Sequence, residues 1–148
     1  VYPLPESGRQ WMLLLAPETP ISTPEAYREL SRSRPTELTP EAGRNIINSF
    51  CSRISVPAEG GAQNLSGALS NDFEQVVFRR FPILHDWKKR LRKAGASFAM
   101  MSGSGSALFG WFANRQAALK ARESFKLFPG KVCVVRTLDR RAYHASWR

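Results

Sequence analysis

The sequence predicts an α+β fold, a four-stranded antiparallel sheet with helices packed on it. Three observations carry this. Short apolar or β-branched runs recur at Gln10–Ala16, Ser97–Met101, Ala107–Phe112 and Lys131–Leu138. Between them lie segments whose apolar residues return at helical spacing. The elements follow the order strand, helices, strand, strand, helix, strand.

Gln10–Ala16 is almost continuously apolar and is bounded by Gly8 and Pro17, which predicts a buried strand. Ser22-Thr23-Pro24-Glu25-Ala26 opens a helix to about Ser31: a hydroxyl cap, proline in the first turn, and a glutamate at the positive end of the dipole. The same pattern at Thr39-Pro40-Glu41-Ala42 opens a second helix, carrying Ile46, Ile47, Phe50 and Ile54 and ending before Pro57. Ala58–Gly61 reads as a loop. Ser70 or Asn71 caps the next helix, with Asp72 and Glu74 in its first turn and Phe73, Val76 and Val77 on one face.

Pro82 interrupts that helix. The following one turns Ile83, Leu84, Trp87 and Leu91 inward and Lys88, Lys89, Arg90, Arg92 and Lys93 largely outward, with Gly95 at the C-terminal cap. Two strands then flank Ser102-Gly103-Ser104-Gly105-Ser106. Asn114 caps a helix through Ala117, Ala118, Ala121 and Phe125 that stops near Pro129-Gly130, before the last strand. This order describes a sandwich related to the ferredoxin-like arrangement.

The chain has 148 residues, 43% of them apolar, which suits one domain over residues 1–148. No apolar run approaches the roughly 18 residues of a membrane-spanning helix, so no membrane partner is expected. The start, Val1-Tyr2-Pro3-Leu4-Pro5, has no methionine and no signal-like pattern, and it predicts a piece of a longer protein. Lysine and arginine number 22 against 12 acidic residues, a net charge of +10 that favours anionic partners. Cys51 and Cys133 show no metal or disulfide spacing, which points to a reducing, cytoplasmic compartment. The sequon Asn64-Leu65-Ser66 stands without other marks of secretion.

Gly103-Ser104-Gly105-Ser106 is the most informative local feature. Glycines let backbone approach an anion while amides and hydroxyls point donors at it, and equally they make a tight turn between strands. The loop lacks the third glycine of a dinucleotide fingerprint, the lysine of a Walker loop and the order of a nucleophile elbow. His85 and His144 read as packing or surface residues. Asp72, Glu74, Glu25 and Glu41 are accounted for by helix starts. No catalytic or metal-ligating set emerges, and the Lys88–Lys93 run reads as a solvated face or a polyanion patch.

Three segments together resemble the C-terminal domain of GHMP-type small-molecule kinases, in particular the 4-diphosphocytidyl-2-C-methyl-D-erythritol kinases. They are Leu13–Pro17 leading to Ile21-Ser22-Thr23-Pro24-Glu25-Ala26-Tyr27; Asn71-Asp72-Phe73-Glu74 with Pro82 downstream; and Gly95-Ala96 followed by Met101–Gly110, similar to the family's third motif. The resemblance implies a transferase that moves the γ-phosphoryl group of ATP to the 2-hydroxyl of a cytidine-diphosphate-linked methylerythritol, in non-mevalonate isoprenoid biosynthesis. It implies that the aspartate base, its lysine partner and most of the site for ATP with Mg2+ belong to an N-terminal kinase domain lacking here, so this chain alone is expected to be inactive. Tyr27 matches the aromatic residue that stacks on cytosine, and Thr23 a substrate-side hydroxyl. Gly103, Ser104, Gly105 and Ser106 would support the phosphates or the loop that cradles them.

A reading from another class is a free-standing basic α+β module that binds RNA or another polyanion. Against it, the strands carry no RNA-recognition signature, and the basic cluster lies on a helix rather than among strand aromatics.

Overall fold

The computed structural model describes residues 10–33 and 69–145. The expected Thr39–Ile54 helix with Glu41, the Ala58–Gly61 loop, Cys51, the sequon and the N-terminal lead lie outside these residues. The elements are β1 (Trp11–Pro17), α1 (Thr23–Ser33), α2 (Phe73–Arg80), α3 (Pro82–Lys93), β2 (Phe98–Met101), β3 (Leu108–Phe112), α4 (Arg115–Glu123), β4 (Gly130–Arg136) and α5 (Arg140–Ala145). The strands form one sheet in the order β2-β3-β1-β4, every neighbouring pair antiparallel. This is the predicted fold class: each strand–helix–strand unit is split by a strand inserted between its two strands.

Register decides the layers. Leu13 lies opposite Gly110, and Leu15 opposite Leu108, on the face where α3 and α4 pack. Leu13, Leu15, Met101, Leu108 and Phe112 form that buried face with Leu84, Leu91 and Ala118 of the helices. Met12, Leu14, Met100, Phe109 and Trp111 occupy the other face and are half-buried. β1 is therefore not buried throughout, as its apolar run predicted; the run is continuous because both faces of this central strand are apolar.

Helix boundaries follow local chemistry. Pro82 stands at the first turn of α3, where its missing N–H costs nothing. Leu84, Trp87 and Leu91 are buried as expected, but Ile83 is exposed. The 3.6-residue period places Leu84, Trp87 and Leu91 on one stripe, and Ile83 falls beside it. At the other end Gly95 has φ +98°, its N–H donates to Arg92 O, and Ala96 N–H donates to Leu91 O. That paired closure needs the left-handed conformation glycine adopts without strain. α4 opens on Asn114, whose side chain accepts from Ala117 N–H, and ends at Glu123 rather than running to Phe125. Phe125 is still buried, held in the turns that follow.

β4 stops at Arg136, two residues short of the expected end. The chain then forms α5, which the sequence reading did not include. Asp139 starts it, its Oδ1 accepting from Ala142 N–H, so an aspartate before an alanine-containing polar run was the available signal.

Candidate functional site

The expected substrate helix and the Gly-Ser loop, far apart in sequence, meet. Thr23 Oγ1 and Ser104 Oγ lie 2.9 Å apart. Thr23 is the first residue of α1, as the helix start predicted, and Ser22 O accepts from Ala26 N–H ahead of it; the Thr23 hydroxyl is turned to the loop. Ile21 lies under the loop, its Cδ1 where a side chain on Gly105 would start.

Tyr27 follows Thr23 by one helical turn, so both side chains emerge from the same face of α1. Its ring is 4.8 Å from that of Phe73, at an interplanar angle of 80°. Tyr27 is 57% exposed. It rests on Phe73 and keeps most of its surface available to a partner ring.

The loop is built on the β2–β3 hairpin. Ser102 N–H donates to Ala107 O, closing the strands, and Gly105 N–H turns back to Ser102 O. Ser106 Oγ reaches Pro17 O at 3.5 Å, at the end of β1. Gly103 faces open space where a Cβ would stand. The loop thus offers hydroxyls, backbone amides and close approach, but no charge of its own. That suits a supporting role toward a polyphosphate and not the neutralisation of one. Among the described residues no cluster of His, Cys, Asp or Glu could hold a metal ion.

Two acidic residues assigned to helix starts do more. Glu25 pairs with Arg80 at 2.7 Å, joining α1 to α2. Glu74 accepts from Met101 N–H through Oε1 and pairs with Lys88 through Oε2 at 2.5 Å. Lys88 is accordingly withdrawn from the outward basic face. Arg92 donates to Ser97 O, Arg90 lies over the Phe125 ring, and Lys89 is 3.8 Å from Asp86. Lys89, Arg90, Arg92 and Lys93 nonetheless remain exposed, as the outward face predicted, and of this run Lys88 alone is drawn partly inward. His85 stacks on Phe78 and His144 lies against Tyr143, both at the surface, within the packing-or-surface reading. Cys133 is a free, exposed thiol.

A hollow of about 230 Å3 between α1 and α2 is lined by Glu25, Glu29 and Arg80, an acidic balance unsuited to phosphate. The carboxyl of Glu123 is held below its usual range by the Lys126 hydrogen bond, then by that lysine's charge, at the end of α4 and not at the loop. The sequence missed the part played by Asn71. Its side-chain NH2 donates to Met101 O at 2.8 Å and Gly103 O at 2.7 Å, while its Oδ1 accepts from Phe73 N–H at 3.0 Å. As an expected cap it was singled out, but no spacing rule links it to a loop 30 residues away.

Comparison with known proteins agrees with this geometry. Residues 58–129 match the family model described as GHMP kinases C terminal. A 4-diphosphocytidyl-2-C-methyl-D-erythritol kinase of Solibacter usitatus is 42% identical over all of this chain and 44% of its own length. One of Symbiobacterium thermophilum is 33% identical over 93% of this chain and 46% of its own. The chain thus spans less than half the length of these curated relatives. The crystal structure of a 4-(cytidine 5'-diphospho)-2C-methyl-D-erythritol kinase superposes with a TM-score of 0.61 at 26% identity, over 88% of this chain and 43% of that one. L. major mevalonate kinase, with a TM-score of 0.66 at 14% identity over 94% of this chain and 45% of that one, shares the fold. The motifs, the sheet order and these matches agree: residues 58–129 carry the C-terminal domain of the GHMP kinases, and the chain has that domain's fold.

Proposed function

We propose that this chain is the substrate-side part of an ATP-dependent kinase acting on 4-diphosphocytidyl-2-C-methyl-D-erythritol, completed by an N-terminal domain. The observation that carries the reading is the Thr23–Ser104 contact, which seats the helix bearing Tyr27 on the Gly-Ser loop. A base-binding ring and a phosphate-supporting loop are thereby held in one rigid relation, as a nucleotide-linked substrate facing ATP requires. In the reaction the bond from the γ-phosphorus to its bridging oxygen breaks, and a bond to the substrate's 2-hydroxyl oxygen forms. That hydroxyl's proton passes to a base in the N-terminal domain, where ATP with Mg2+ is mainly bound.

Tyr27 presents a flat face for the cytosine at small entropic cost. Thr23 supplies a hydroxyl on the substrate side, positioned by Ser104. Gly103–Ser106 backs the phosphates without moving a proton. No group of this chain is assigned as the base. The enzyme works in the cytoplasm, within isoprenoid biosynthesis.

The full-length protein is expected to consume ATP with 4-diphosphocytidyl-2-C-methyl-D-erythritol as acceptor, measured by coupled ADP release. Tyr27→Ala in that protein should raise KM for the cytidine substrate about tenfold, the scale of one lost base stack, and leave KM for ATP near its parental value. Equal loss for both substrates would remove the stacking role. A parent silent on this acceptor but active on another small alcohol would keep the kinase and discard the substrate. Salt-sensitive RNA binding by a parent without kinase activity would favour the polyanion module.

A further inference from the structure

We infer that Asn71 and Glu74 form a clamp that positions the Gly103–Ser106 loop toward nucleotide phosphate, and that Asn71 sets the direction of one donor, the Ser104 N–H. This deepens the proposed function and rests on it. The Asn71-Asp72-Phe73-Glu74 segment marked the family in the sequence, but helix capping was the only physical role it suggested. In the structure it grips the backbone that leads into the loop. Met101 is held at both polar groups: its N–H donates to Glu74 Oε1 at 2.8 Å, and its carbonyl accepts from Asn71 Nδ2 at 2.8 Å. The same Nδ2 reaches the Gly103 carbonyl at 2.7 Å.

The orientation of the Asn71 amide is determined by its partners. Oδ1 accepts from Phe73 N–H, so the NH2 faces the loop, and both of its protons have carbonyls to meet. Glu74 is in turn held by Lys88, and at 15% side-chain exposure its carboxylate keeps one oxygen on the cation and one on Met101.

The consequence follows from peptide planarity. In the trans peptide between Gly103 and Ser104 the carbonyl and the N–H point in opposite directions. Drawing the Gly103 carbonyl onto Asn71 aims the Ser104 N–H away from α2. The Ser104 hydroxyl is meanwhile fixed by Thr23. The loop's amide is thus oriented from one side and its hydroxyl from the other. A donor aligned before phosphate arrives needs no reorganisation when it binds. Asn71 and Glu74 act through the backbone of Met101 and Gly103, so they are positioning residues.

Asn71→Asp in the full-length enzyme separates this role from simple capping. Aspartate keeps the acceptor for Phe73 N–H and is a good helix cap, but it sets a carboxylate against the carbonyls of Met101 and Gly103. The expected result is a fall in kcat on the order of tenfold to a hundredfold, as for a misplaced reacting geometry, and a raised KM for ATP. KM for the cytidine substrate should stay near its parental value. Binding of the β,γ-imido analogue of ATP, read by calorimetry, should weaken about fivefold or more, and Tyr27→Ala should leave it unchanged.

Glu74→Gln, which keeps the volume and an acceptor for Met101 N–H, should show the same pattern more mildly, and it serves as the test if Asn71→Asp does not fold. Folded variants with parental kcat and parental analogue affinity would overturn the clamp. A change confined to the cytidine substrate would overturn it as well. A parent that binds the ATP analogue but does not phosphorylate the cytidine acceptor would refute the proposed substrate and leave the clamp to stand or fall on analogue affinity.

Discussion

Gly105 shows how one residue's backbone links loop and core. Its φ is +92°, and a Cβ there would lie 2.8 Å from both Ile21 Cδ1 and Met101 Sδ. Gly105→Val therefore combines an unfavourable dihedral with two apolar contacts too close to keep. It should cost about 1–3 kcal/mol of stability by urea denaturation, and in the full-length enzyme it should lower turnover as the loop lifts from Ile21. Gly103, also at positive φ but with open space around it, should accept asparagine with a smaller loss in the same experiment. Parental stability and kinetics for Gly105→Val would show a loop indifferent to its own geometry. Position 105 was legible in the sequence as a turn glycine. Ile21 beneath it was not, because the contact joins residues that no local pattern relates.

At the scale of the element, α3 separates pattern from burial. Leu84 and Leu91 are fully buried, whereas Ile83, apolar and adjacent, is 48% exposed. Leu84→Ala or Leu91→Ala should cost about 2–5 kcal/mol, since each leaves a cavity under the sheet. Ile83→Ala should change stability by about 0.5 kcal/mol or less. Thermal and urea unfolding of the three variants checks this order, and a large loss at Ile83 would contradict the assigned face. α4 depends on its start: Asn114→Ala removes the acceptor for Ala117 N–H and should cost about 1 kcal/mol. Caps of this kind are readable from sequence because their chemistry is local. The exact end of α4 was not, because Phe125 satisfies the core equally from a helix or from the turns that replace it.

At the scale of the whole molecule, the sheet order brings α1, α2 and the β2–β3 loop to one place. Ser106 meets Pro17 at the end of β1, Thr23 meets Ser104, and Asn71 meets Met101 and Gly103. Three segments separated by dozens of residues thus share a single site, formed around half of the proposed reaction. The 148-residue chain alone, mixed with ATP and the cytidine substrate, should release no ADP above background, while the full-length protein does. Turnover by the chain alone would place a base within it and refute the split site. The net charge of +10 suits anionic ligands, and Arg90 and Arg92 stay at the surface while Lys88 is paired with Glu74.

The order of elements, most helix starts, the proline and glycine punctuation and the family motifs were determined by the sequence itself. Each rests on interactions within a few residues, and four strands in this order admit few right-handed, unknotted arrangements. The tertiary structure alone decided that the Thr23 hydroxyl turns to Ser104, that Tyr27 rests on Phe73 with its surface open, and that Asn71 and Glu74 grip the loop. These are hydrogen bonds and ring contacts between groups with several local alternatives. Only packing of the helices against the sheet selects among them, because it brings the distant partner within reach.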